Sequence, residues 1–145
     1  NSNIYPQQEY DVRKHELKRF LEAQNVPYVE DEYDHHEWLS VIKGLEDEPE
    51  RGSRCSVCFQ FRLSHAAKYA QEHGFHLLTT TLASSRWKNI RQIDTAGHLA
   101  VEAYPDVEWW DMNWRKGGLQ NRRGELLRIN EFYNQLYCGC EFSMR

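Results

Sequence analysis

This sequence has few of the features that mark membrane, fibrous or disulfide-rich proteins. Its mean hydropathy is -0.83, and no apolar run approaches the roughly 18 residues that a membrane helix needs. Proline and cysteine each occur only 4 times, and aliphatic side chains are scarce, with 33 Ala, Val, Ile and Leu among 145 residues. Disorder is nevertheless disfavoured, because an aromatic content of 13% is typical of chains that pack their surfaces.

The chain also lacks an initiator methionine, a basic and apolar leader, and a Gly-rich phosphate loop. No signal peptide is visible, and we expect a start that is either processed or internal to a longer chain. The net charge of -4 argues against coating nucleic acid by bulk charge. The charge is uneven, however: residues 1–50 hold 13 acidic and 5 basic side chains, whereas residues 51–145 hold 9 and 13. A local basic surface is thus compatible with an acidic whole.

Hydrophobic periodicity and capping residues predict an alternation of helices and strands. Helices are predicted over 9–21, 34–43, 53–73, 89–104 and 120–129, and strands over 26–29, 75–80 and 107–112. This order indicates an α/β fold with a three-stranded parallel sheet flanked by helices, in which 75–80 is a buried strand. Because the pattern begins on a helix, we expect one domain over 1–145 that lacks its first strand.

The four cysteines form two close pairs, Cys55 with Cys58 and Cys138 with Cys140. The first pair lies at a predicted helix N-terminus, where a spacing of three residues places both sulfurs on one side. The second pair flanks a glycine, which permits a tight turn. Four thiolates in two such pairs suit either tetrahedral zinc or an iron-sulfur cluster.

Basic and aromatic residues alternate in the second half of the chain, a pattern that can hold phosphates and stack bases. The same pattern also fits a packed surface with solvated charges. The candidate nucleic-acid contacts are Arg86, Trp87, Lys88, Arg115, Lys116, Arg122 and Arg123. The seven histidines show no metal-ligand spacing beyond one adjacent pair, and we expect them at the surface.

Several motifs occur together in one order along the chain. They are Asn1-Ser2-Asn3-Ile4-Tyr5-Pro6, Arg54-Cys55 with Cys58-Phe59, Thr79-Thr80-Thr81-Leu82, and Tyr137-Cys138-Gly139-Cys140. In this combination the sequence closely resembles the cobalamin-independent epoxyqueuosine reductase family, over essentially its whole length. The resemblance implies a two-electron reduction of the epoxide of epoxyqueuosine to queuosine at the wobble position of tRNA.

The resemblance also implies a fold of the adenine-nucleotide hydrolase-like (HUP) type, a 4Fe-4S cluster and a nearby single metal ion, expected to be iron. Cysteines from three places hold these groups in the family, and two places match here, at Cys55/Cys58 and Cys138/Cys140. The third, a Cys-Cys motif after the first strand, would precede this chain. Tyr5, Lys88 or a water are the candidate proton donors, and the implied partners are the tRNA anticodon loop and an electron donor.

Two other functions remain compatible with the residues. A structural zinc protein or RNA-binding module would close one tetrahedral site with all four cysteines. A HUP-type enzyme that activates its substrate with ATP would need a phosphate loop, which would lie on the strand expected ahead of Asn1. Metal analysis separates the first alternative from a redox enzyme, because it requires one zinc and no sulfide.

Overall fold

Five α-helices and two short strands are described in residues 1–144 of a computed structural model. The helices are α1 (Gln7–Ala23), α2 (His35–Val41), α3 (Ser53–Glu72), α4 (Ile90–Val101) and α5 (Leu119–Ile129). The strands are β1 (Leu77–Leu78) and β2 (Glu108–Trp109), and single 3-10 turns lie at Thr81–Ser84 and Glu141–Ser143. No helix in this described part is long and apolar enough to cross a membrane.

The five predicted helices are confirmed, and local signals explain their ends. The Asp34 carboxylate accepts the Glu37 N–H at 2.9 Å and so caps α2, while Asn89 caps α4 through the Arg91 N–H at 3.0 Å. Helix α3 is followed by Gly74, whose φ of +72° suits glycine at this position. Helix α2 ends at Val41, two residues before its predicted end.

The sheet is parallel as predicted, but it is smaller. Strand β1 pairs with β2 in the register Leu77 to Glu108 and Leu78 to Trp109, and the described residues contain no third strand. The strand predicted at 26–29 is wrong, because these residues run without a ladder partner. A strand does form within 75–80, as β1, but it spans only two residues, and the prediction that it is buried is wrong, because Leu77 is 55% exposed. The α/β class is confirmed, whereas the HUP type stays a prediction.

The chain folds into two compact units, one of which comprises residues 41–122. Its core lies where α3 packs on α4 and the parallel pair, and consists of Phe59, Leu63, Ala67, Ile93, Ala96, Ala100 and Trp109. Gly97 of α4 lies directly against the Trp109 ring, where a Cβ atom would come within 2.2 Å of ring carbons. This close approach brings α4 onto β2.

The other unit comprises residues 1–40 and the segment from 123 onward, and its core is largely aromatic. The rings of Tyr5 and Trp38 stack on the His35 ring, with centroids 5.3 and 5.4 Å from it. Trp38 is fully buried and also contacts Phe142. Ring stacking thus replaces the scarce aliphatic side chains here. The expected single domain over 1–145 stays a prediction.

Candidate functional site

Cys55 and Cys58 lie in the first two turns of α3, as the sequence predicts. Cys58 is buried and Cys55 is partly exposed, and neither cysteine forms a disulfide. The backbone N–H of Arg51 donates to the Cys55 sulfur at 3.3 Å. Backbone N–H groups that point at cysteine sulfurs are a recurrent feature of iron-sulfur sites, where they tune the metal.

The start of α3 is held by side chains from the neighbouring loop and helix. Gln92 of α4 donates from Nε2 to the Arg51 and Gly52 carbonyls, at 2.9 and 3.1 Å, and to Ser56 Oγ at 2.7 Å. Arg54 is buried, and its Nη1 donates to the carbonyls of the preceding loop, at residues 45, 46 and 48. These contacts make the first turn of α3 a rigid base for the two sulfurs.

The predicted nucleic-acid segment at residues 86–88 lies beside this cysteine pair. Arg51, whose backbone contacts Cys55, also donates from Nε to the Trp87 carbonyl at 2.8 Å. The Trp87 ring is 67% exposed, with the Arg86 guanidinium 5.2 Å from its centroid. Lys88 Nζ lies 5.4 Å from the centroid of the Phe59 ring, on the same helix as the cysteines. An exposed indole with a cation over it can stack on a base.

The other predicted phosphate contacts differ from one another. Arg115 is partly buried and donates to the carbonyls of Ala83 and Lys88, at 3.1 and 3.0 Å. It therefore positions the segment that carries Trp87. Lys116, Arg122 and Arg123 are exposed, at the glycine turn and on α5.

Cys138 and Cys140 flank Gly139 in a tight turn, which we call the Cys138–Cys140 turn. Gly139 is buried with a φ of +114°, a region that favours glycine. The Arg13 guanidinium reaches this turn from α1 and donates to the carbonyls of Tyr137 and Cys138, each at 3.1 Å. The Tyr5 backbone N–H donates to the Gly139 carbonyl at 2.8 Å, which places the Tyr5 backbone beside this cysteine pair.

Tyr5 presents its ring beside a partly buried histidine, His35. The Tyr5 side chain is 42% exposed and its carbonyl accepts the Tyr137 hydroxyl. His35 lies between two acceptors, with Nδ1 2.7 Å from the Ser2 carbonyl and Nε2 2.8 Å from Glu141 Oε1. The expectation that all histidines are at the surface is therefore wrong for His35.

Sequence reasoning missed the roles of His35 and Arg13. The signal available for Arg13 was its position four residues after Glu9, a spacing that predicts the ion pair seen at 2.8 Å. Nothing local in the sequence indicated that Arg13 contacts Tyr137 and Cys138, or that His35 contacts Glu141.

A thiolate-bound group fits the donor chemistry of both cysteine pairs. Each pair supplies two sulfurs. Within residues 1–144, however, no three His, Cys, Asp or Glu side chains are grouped as metal ligands, so a group bound at either pair would need further ligands. A buried carboxamide, that of Asn3, lies without a partner in this part of the chain and beside the Cys138–Cys140 turn. The residues present thus match the kind of ligand an iron-sulfur or mononuclear iron site needs.

Comparison with known proteins agrees with the whole-chain resemblance. The family model described as "Epoxyqueuosine reductase QueH" matches residues 1–145. Curated relatives with the same name are 49% identical in Histophilus somni and 47% identical in Acinetobacter baylyi, each over the full chain and over 60% and 66% of the relative. A Thermotoga maritima relative of that name is 32% identical over 99% of the chain and 76% of its own length. The chain spans 60% of the length of the first of these relatives. The chain belongs to the epoxyqueuosine reductase QueH family.

Proposed function

We propose that this chain belongs to an enzyme that reduces epoxyqueuosine to queuosine at the wobble position of tRNA. The observation that carries the proposal is the arrangement at α3: two cysteines on its first turns, linked through Arg51 to an exposed tryptophan. A redox centre beside a base-stacking surface suits a reaction on a nucleotide. Family membership supports the same function, since the curated relatives bear the name of this activity.

The overall reaction needs two electrons and two protons, and it releases the epoxide oxygen as water. Because side chains do not supply electrons at the required potential, the proposal includes a 4Fe-4S cluster and a mononuclear iron as the redox groups. Cys55, Cys58, Cys138 and Cys140 would hold them, together with ligands from outside this chain. An electron-donor protein or reductant is part of the proposal.

The remaining tasks belong to the chain's own side chains. Tyr5 Oη and Lys88 Nζ are the proposed proton donors. The Tyr5 backbone contacts Gly139, between Cys138 and Cys140, and Lys88 Nζ lies over the ring of Phe59, the residue after Cys58. Trp87 is proposed to stack on an anticodon-loop base, with Arg86, Lys116, Arg122 and Arg123 contacting phosphates. Arg115 contributes by holding residues 83–88 in place. The proposed fold is HUP-type and the proposed location is the cytoplasm.

The first test is metal content and turnover of the full-length protein, purified without oxygen. We expect iron and acid-labile sulfide, and conversion of epoxyqueuosine in tRNA to queuosine under reducing conditions. Cys55→Ser and Cys138→Ser should each lose iron and activity, whereas Ser53→Ala, an exposed control on the first turn of α3, should retain both. One zinc with no sulfide and no turnover would instead support the four-cysteine zinc module.

The second test concerns the tRNA surface. Trp87→Ala should weaken binding of the anticodon stem-loop by about 5–150-fold, the equivalent of one stacked base at about 1–3 kcal/mol. Trp87→Phe is the matched control, because a phenyl ring still stacks, and it should keep most of the affinity. Equal affinities for wild type and Trp87→Ala would remove this residue from the proposed interface.

A further inference from the structure

The side chain of Asn3 is buried without a hydrogen-bond partner. It is 1% exposed, and neither Oδ1 nor Nδ2 bonds to any group in the described residues. A buried amide that finds no partner carries a desolvation cost, and native proteins rarely retain one without a reason.

The backbone around Asn3 is held in place on both sides. The Ser2 carbonyl faces His35 Nδ1 at 2.7 Å, and the Ile4 carbonyl accepts the Tyr33 hydroxyl at 2.7 Å. The next residue along, Tyr5, donates its N–H to the Gly139 carbonyl. The hydrogen bonds of residues 2, 4 and 5 therefore fix the backbone position of Asn3.

The Asn3 amide points at the Cys138–Cys140 turn. Its Nδ2 lies 3.5 Å from the point that a Cβ atom would occupy on Gly139. A side chain at Gly139 would also lie 3.0 Å from Arg13 Nη1 and from Ile4 Cγ1. The glycine thus leaves room for the amide to approach the backbone between the two cysteines.

The carbonyls of this turn already accept other donors. Arg13 donates to the carbonyls of residues 137 and 138, the Tyr5 N–H to that of 139, and Ser143 Oγ to that of 140 at 2.7 Å. The cysteine sulfurs, and the group that they bind, are further acceptors at this turn that suit an amide donor.

We propose that Asn3 is a positioning residue of the centre held by Cys138 and Cys140, and that its carboxamide donates an N–H to the metal-bound thiolate or sulfide there. The inference rests on the metal site of the proposed function. Hydrogen bonds to sulfur stabilise the more reduced, more negative state of such a centre, and outer partners of this kind hold the ligands in place.

The test compares Asn3→Leu and Asn3→Asp with wild type in the full-length protein, without oxygen. Leucine keeps the size of the side chain and removes its polar atoms, whereas aspartate replaces the donor by a charged oxygen. Asn121→Leu, at an exposed position of α5, is the control. The measurements are unfolding of the metal-free protein, Co²⁺ affinity from the thiolate charge-transfer absorption, and the reduction potential of the iron-loaded protein.

Because Asn3 has no protein partner in residues 1–144, Asn3→Leu should unfold at the same or a higher denaturant concentration than wild type when metal-free. With metal, both Asn3 variants should bind Co²⁺ about 10–100-fold more weakly. Their iron-loaded forms should have more negative potentials, while Asn121→Leu matches wild type.

Two results would overturn the inference: a metal-free Asn3→Leu that is clearly destabilised, which indicates an ordinary structural role, or unchanged Co²⁺ affinity and potential in both variants. If the wild type itself binds neither Co²⁺ nor iron through its cysteines, the metal site of the proposed function fails as well. The two failures are therefore distinguishable.

Discussion

Replacing Arg13 by alanine is expected to lower the free energy of unfolding by about 3 kcal/mol. The Arg13 guanidinium donates to the carbonyls of Tyr137 and Cys138 and pairs with Glu9 at 2.8 Å. The side chains of Arg13 and Glu9 are only 14% and 12% exposed. Removing one partner of a largely buried ion pair costs about 3–5 kcal/mol, and each hydrogen bond from a charged donor about 1.5–3 kcal/mol. The expected loss lies below the sum of these contributions, because Glu9 still accepts a hydrogen bond from the Tyr133 hydroxyl, at 2.8 Å, when Arg13 is removed.

Urea unfolding of the metal-free protein measures this change, and two further variants separate its causes. Arg13→Lys keeps the charge but cannot donate to both carbonyls in a fork, so it should recover only part of the loss. Arg19→Ala is the matched control on α1: Arg19 is an exposed residue that contacts Glu16 and the Asn130 carbonyl, and we expect a loss of less than about 1 kcal/mol.

The loss of Arg13 should also loosen the Cys138–Cys140 turn, so that these cysteines react faster with a thiol reagent. Two results together would refute the conclusion that Arg13 holds this turn in place. They are an Arg13→Ala variant that is no less stable than Arg19→Ala, and unchanged reactivity of the cysteines. A full recovery by Arg13→Lys would show that charge alone, and not the forked geometry, holds it.

Three further predictions concern packing and pH. Gly97→Ala should lower the free energy of unfolding by about 3 kcal/mol, because its Cβ would lie 2.2 Å from Trp109 ring atoms. An unchanged free energy of unfolding in urea would contradict this packing. At Gly124 of α5 an added Cβ would meet nothing within 4 Å, so Gly124→Ala should raise the free energy of unfolding by about 0.5–1 kcal/mol in the same assay. A lower free energy of unfolding would contradict this prediction. Burial raises the pKa of Tyr10 and Tyr33 above 10.0, so their contribution to stability is full below that pH and is lost as the pH rises through the raised values. Ultraviolet titration should show these two tyrosines ionising late, and a single transition at the ordinary value for all tyrosines would be inconsistent with their burial.

Helix positions were predictable because their signals are local. The Asp34 cap, the Asn89 cap and Gly74 after α3 each act within a few residues of the helix end that they mark. The strands were less predictable, since an apolar run becomes a strand only where a neighbour supplies a ladder. Residues 26–29 have no such neighbour in the described chain, and β1 pairs over only two residues.

The sequence by itself determined the two cysteine pairs, the helix that carries the first and the glycine turn that carries the second, because spacing and backbone preference act over short distances. The order of the motifs along the chain likewise indicated the family. Tertiary structure alone decided what surrounds the cysteines. Arg13 contacts the Cys138 carbonyl across 125 residues, and His35 contacts Glu141 across 106. Such contacts arise from packing of distant segments, which no local pattern encodes, and they bring Asn3 to the turn with its amide unpaired.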